Sequence, residues 1–199
     1  MYRMTHFRRL IALAASVSSL TAHAHTGHGT TSLMEGLIHP FGPDHLLAMV
    51  AVGVWSISTL RAHNAWHAPA FFMLSLLAGA MLGMTGFALP YLEHAVTLSV
   101  MVLGALLVQA RNRPSSHWIG LMLIAVAGSL HGLAHGSEAP GSGLAGYALG
   151  FLFTTAALHV LGIAIGVAIQ GGLFRGKTWI LNGVGAGVSL TGVYLFTQL

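Results

Sequence analysis

The sequence contains no cysteine. Disulfides and thiolate ligands are both excluded, so any metal must be held through nitrogen and oxygen. Charge is scarce as well: Asp, Glu, Lys and Arg make up 6% of the 199 residues, whereas a soluble domain carries about a quarter. So few charges cannot cover a water-exposed surface. A mean hydropathy of +0.77, with several apolar runs near the ~20 residues that cross a bilayer, identifies an integral membrane protein. Histidine is plentiful at 13 residues, and glycine supplies 26.

The first residues carry Arg3, Arg8 and Arg9, then an apolar stretch from Leu10 to Leu20, then Ala22-His23-Ala24. That order matches a secretory signal peptide with a small-x-small cleavage site. The expected organisation is a leader over 1–24 and a transmembrane domain over 25–199, with His25 as the mature N-terminus. Losing the leader leaves five basic residues against four acidic ones. The high isoelectric point is thus largely a leader property, and no nucleic-acid partner is expected.

Apolar runs between polar breaks predict an all-α fold of six transmembrane helices, at roughly 33–60, 68–89, 92–110, 117–136, 144–170 and 178–198. With the mature N-terminus outside, Arg61, Arg111, Arg113, Arg175 and Lys177 all fall on the cytoplasmic side, as the positive-inside rule requires. Trp55, Trp66, Trp118 and Trp179 lie near that side too, where amphipathic rings suit the interface. The acids Glu35, Asp44, Glu93 and Glu138 map to the opposite, outer end. A negative mouth raises the local concentration of cations. Small-xxx-small pairs such as Gly79 and Gly83, Gly132 and Gly136, or Gly183 and Gly187 permit close helix packing.

Two constellations carry chemistry. In "HPFGPDH", Pro40 and Pro43 flank Gly42, so a continuous helix is not expected there. Broken helices at membrane depth are tolerated inside protein or beside a water-filled cavity, where transporters aim groups at an ion. His39, Asp44 and His45 could then converge. In "HGLAHGSE", His131 and His135 stand one helical turn apart, with Glu138 three residues further on. Paired imidazoles beside a carboxylate suit a borderline divalent ion such as nickel, cobalt or zinc. Either histidine alone is more often a hydrogen-bonded packing residue; two clusters at one membrane level shift the balance toward an ion pathway.

Other candidates are weaker. His159 lies about 15 residues into the fifth span, roughly 22 Å below its outer end, and suits a deeper relay or a structural hydrogen bond. Glu93 and His94 open the third span and either line the mouth or mark a helix start. His25, with its free amine, and His28 form a possible capture site. Met49 suits packing, and His63, His67 and His117 suit solvated loops.

These stretches resemble the HupE/UreJ family of membrane proteins. The resemblance spans nearly the whole chain: the leader, "HPFGPDHLLAMVAVG" from His39, Pro90 with Glu93, "HGLAHGSE" from His131, and His159. It implies a permease for Ni²⁺ or Co²⁺ in a bacterial inner membrane, with a periplasmic mature N-terminus, supplying hydrogenase or urease assembly. It further implies no prosthetic group, with the ion as substrate, and metallochaperones or maturation proteins as partners. No enzymatic activity is expected, and entry driven by an ion gradient or the membrane potential needs no nucleotide. Two rivals use the same residues differently: an intramembrane metalloenzyme would retain its metal, and a membrane metal sensor would bind without flux.

Overall fold

The computed structural model describes residues 32–110, 117–171 and 178–199. The leader, its cleavage point, His25, His28, Arg111, Arg113, Arg175 and Lys177 lie outside them. All regular structure among the described residues is helical: α1 Ser32–Ile38, α2 Pro43–Thr59, α3 His67–Met84, α4 Leu92–Gln109, α5 His117–Ser137, α6 Leu144–Gln170 and α7 Thr178–Phe196. Five helical stretches are long and apolar enough to cross a bilayer. The pair Ser32–Phe41 and Pro43–Thr59, bent by 70°, passes the same test together, as a broken span or a re-entrant loop. Five to six of the expected spans are thus long and apolar enough to cross, and the first segment is interrupted where its prolines predict.

The interruption has a local cause. His39–Phe41 forms one 3₁₀ turn, closed by the Gly42 amide donating to the His39 carbonyl at 3.1 Å. Gly42 is extended, and Pro43 restarts the chain as the first residue of α2, where its missing N–H costs nothing. The second span ends sooner than expected, at Met84 rather than near 89. Gly86 (φ 85°) turns the chain, and Tyr91 (φ 58°) caps α4 in the left-handed region.

Packing is pairwise: α3 with α5, α4 with α7, and α6 with both α1 and α2. Small residues set these approaches. A methyl group at Gly132 would collide with the Leu76 carbonyl, and one at Gly79 with the Ser129 carbonyl, so α3 and α5 touch backbone to backbone. Gly36 against the Tyr147 carbonyl and Gly150 against the Leu33 carbonyl seat α1 on α6 in the same way. Gly183 and Gly187 differ from expectation: nothing among the described residues stands within 4 Å of a methyl built there. Trp55 is also a correction. It is buried, its ring filling the space above Gly120, while Trp66, Trp118 and Trp179 are exposed as interface anchors should be.

Gly171 to Thr178 reads "GGLFRGKT", which fits the phosphate-loop pattern letter for letter. That loop works between a strand and a helix. Here α6 precedes it and no strand occurs among the described residues, so the match lacks the context that makes it a nucleotide site.

Candidate metal site

The site forms where the broken first span meets α5 and α6. The 3₁₀ turn presents His39, the first turn of α2 presents Asp44 and His45, and successive turns of α5 present His131 and His135. Thr154 of α6 donates to the Leu37 carbonyl at 2.9 Å, anchoring the end of α1 just before His39. Asp44 lies at a helix N-terminus, where the backbone dipole favours a carboxylate.

Two groups of three ligand atoms each lie within 4.8 Å of one another: His39, His45 and His135, and Asp44, His45 and His131. His45 belongs to both. Its Nδ1 is 2.9 Å from Asp44 Oδ1, and its Nε2 faces Nε2 of His135. With Asp44 accepting the Nδ1 proton, the Nε2 lone pair of His45 is aimed at His135. Two imidazole nitrogens that face each other need a proton or a cation between them. The His39 ring stands 4.6 Å from the His135 ring, and the His45 ring 4.7 Å from the His131 ring.

Burial grades the two groups. His39 is partly exposed, His45 and His135 are each 7% exposed, and His131 is completely enclosed. Nδ1 of His131 and of His135 have no hydrogen-bond partner, which is costly in a dry bundle. Ser99 of α4 lies 3.3 Å from His131 Nε2 and donates its own proton to the Val96 carbonyl at 2.6 Å. That leaves the Ser99 oxygen free to accept from His131. An apolar, partly open cavity of about 150 Å³, lined by Leu76, Met81, Met84, Tyr147 and Phe151, also has His135 in its wall.

The donor set is four imidazoles and one carboxylate, with no sulfur. It fits Ni²⁺, Co²⁺ or Zn²⁺ better than a hard ion such as Mg²⁺, which prefers oxygen. The remaining candidates are not drawn into these triads. Glu138 is exposed just beyond α5, and Glu93 is exposed in the first turn of α4, within charge-interaction range of Glu138, Asp44 and His45. His94 packs instead against Tyr91 and Phe196, with ring separations of 5.7 and 5.1 Å. His159 is buried apart from the triads. Met49 is core, and His63, His67 and His117 are exposed.

Three residues beside these groups escaped the sequence patterns. Ser99 and Thr155 look like ordinary small polar residues in apolar helices, and Phe72 looks like core. Phe72 is fully buried, with its ring 5.7 Å from His131 and 5.2 Å from His159. Only tertiary contacts could single them out.

The family described as HupE / UreJ protein matches residues 12–195. Protein HupE of Rhizobium leguminosarum bv. viciae is 40% identical over 164 residues, covering 81% of this chain and 84% of that protein. No solved structure matches. With the family match running through all six spans, the chain belongs to the HupE/UreJ family.

Proposed function

We propose that this protein is a permease that carries Ni²⁺ or Co²⁺ across a bacterial inner membrane into the cytoplasm, for insertion into a metalloenzyme. In this reading the leader is cleaved after Ala24, the mature N-terminus is periplasmic, and maturation proteins receive the ion inside. The observation that carries it is the pair of triads sharing His45, brought together by the break in the first span. Membership of the HupE/UreJ family supports the same direction.

The ion gathers at the outer mouth near Glu93 and Glu138. It then exchanges water for His39, His45 and His135, and moves to the more enclosed Asp44, His45 and His131. Shared use of His45 lets the second set of bonds form while the first is breaking, so the dehydrated ion is never without ligands. The Asp44 carboxylate offsets part of the ion's charge where solvent is leaving. No step uses a nucleotide, and the membrane potential alone favours inward movement of a divalent cation, by about 4.6 kcal/mol per 100 mV.

Metal entry into proteoliposomes tests this. Wild type should admit Ni²⁺ or Co²⁺, and His39→Ala, Asp44→Ala and His131→Ala should each lose at least tenfold in initial rate. Variants that transport like wild type would overturn the site. Stoichiometric retention of metal without any flux would favour the metalloenzyme or sensor instead.

A further inference from the structure

Helix α6 carries a second set of buried polar atoms that the triads do not use. His159 is 1% exposed and Thr155, one turn before it, is fully enclosed. The His159 Nδ1–H donates to the Thr155 carbonyl at 2.8 Å. This bond fixes the ring and its tautomer, leaving Nε2 as a bare lone pair, the arrangement by which proteins commonly prepare a histidine to ligate metal. Nε2 has no hydrogen-bond partner, and neither has the Thr155 hydroxyl. A bundle surrounded by lipid does not bury two adjacent polar groups without a partner unless something polar visits them.

Position says what visits. The phenyl ring of Phe72 lies against His131, the most enclosed ligand of the triads, and also against His159. The backbone at this turn is held firmly, since a methyl at Gly53 of α2 would collide with the His159 carbonyl. His159 is therefore a fixed group that shares one aromatic neighbour, Phe72, with the outer cluster.

We infer that His159 Nε2 and the Thr155 hydroxyl oxygen form an inner station for the same divalent cation, separated from the outer cluster by Phe72. The inference rests on the permease reading, and it adds a second resting place and a barrier between the two. An ion released by Asp44, His45 and His131 reaches His159 when the Phe72 ring swings aside. A single nitrogen and a hydroxyl, completed by water, hold it more weakly than the outer cluster, as onward release requires.

The absence of cysteine gives a direct test. In full-length His159→Cys the only thiol sits at the inner station, and Co²⁺ bound there gives a thiolate-to-cobalt charge-transfer band in the near ultraviolet. The band should appear on Co²⁺ loading and be missing in wild type; no band at saturating Co²⁺ overturns the inference. In proteoliposomes, His159→Ala should lower Co²⁺ flux at least tenfold and Thr155→Val at least threefold. Both should still bind Co²⁺ at the outer cluster, within about threefold of the wild-type Kd. Flux within twofold of wild type for both variants overturns the inner station and leaves the permease standing. Loss of outer-cluster binding in both would make His159 and Thr155 supports of that cluster, and also overturns it. Absence of flux in wild type removes the permease reading itself, and this inference with it.

Discussion

His45 links the two triads because both of its ring nitrogens face other ligands: Asp44 on one side and His135 on the other. The Asp44 carboxylate therefore acts twice, as a ligand and as the group that orients His45. A unit charge pair 4 Å apart is worth about 4 kcal/mol at an effective dielectric of 20, and a divalent ion doubles that, before solvent at the half-buried carboxylate reduces it. Asp44→Asn keeps the shape and a hydrogen-bond acceptor but removes the charge. It should weaken Co²⁺ binding 10- to 100-fold in equilibrium titration; unchanged affinity would show that Asp44 is only a helix-start acid. Protons compete with metal for the imidazole nitrogens, which bind only when neutral. Affinity should thus fall on acidification, as protons displace the metal from the imidazoles. Ni²⁺ affinity that rises as the pH is lowered would contradict that sign. At this scale the sequence was informative where residue type is costly in a membrane, as at His39, Asp44, His45, His131 and His135. It was silent where residue type is ordinary: Ser99, Thr155 and Phe72 matter only through their neighbours.

Elements place these residues. The break at Gly42 lets the first span supply ligands to both triads, His39 to one, Asp44 to the other and His45 to each, and its proline signature made it visible in the sequence. The end of the third helix was less visible, because apolar residues continue to Pro90 while Gly86 has already turned the chain. Small-xxx-small spacing foretold close approach but not which pairs use it. Gly132 lies against the Leu76 carbonyl, whereas Gly187 faces open space among the described residues. A matched pair of substitutions separates the cases, since the change in helix propensity is the same in both. Gly132→Val forces α3 and α5 apart and should destabilise the protein by about 1–3 kcal/mol or more. Gly187→Val should stay within about 0.5 kcal/mol of wild type. Thermal unfolding in detergent, followed by tryptophan fluorescence, measures both. Equal effects would contradict the packing described here.

In the whole molecule, paired helices enclose a polar cluster graded from the partly exposed His39 to the fully buried His131. The apolar helices and the break in the first of them were legible, because hydropathy and turn residues report them directly. That the two clusters would face one another was not, because relative rotation of helices is set by tertiary packing, here by glycines on α6 and α5. Convergence is the proposition on which the permease, the inner station and the mutational effects all depend. X-ray absorption at the metal edge of Ni²⁺-loaded protein measures it most directly. The account predicts several imidazole nitrogens around the ion, with their multiple-scattering signature, and loss of imidazole scattering in His45→Ala. A shell of water and carboxylate oxygens alone, unchanged in that variant, would contradict it.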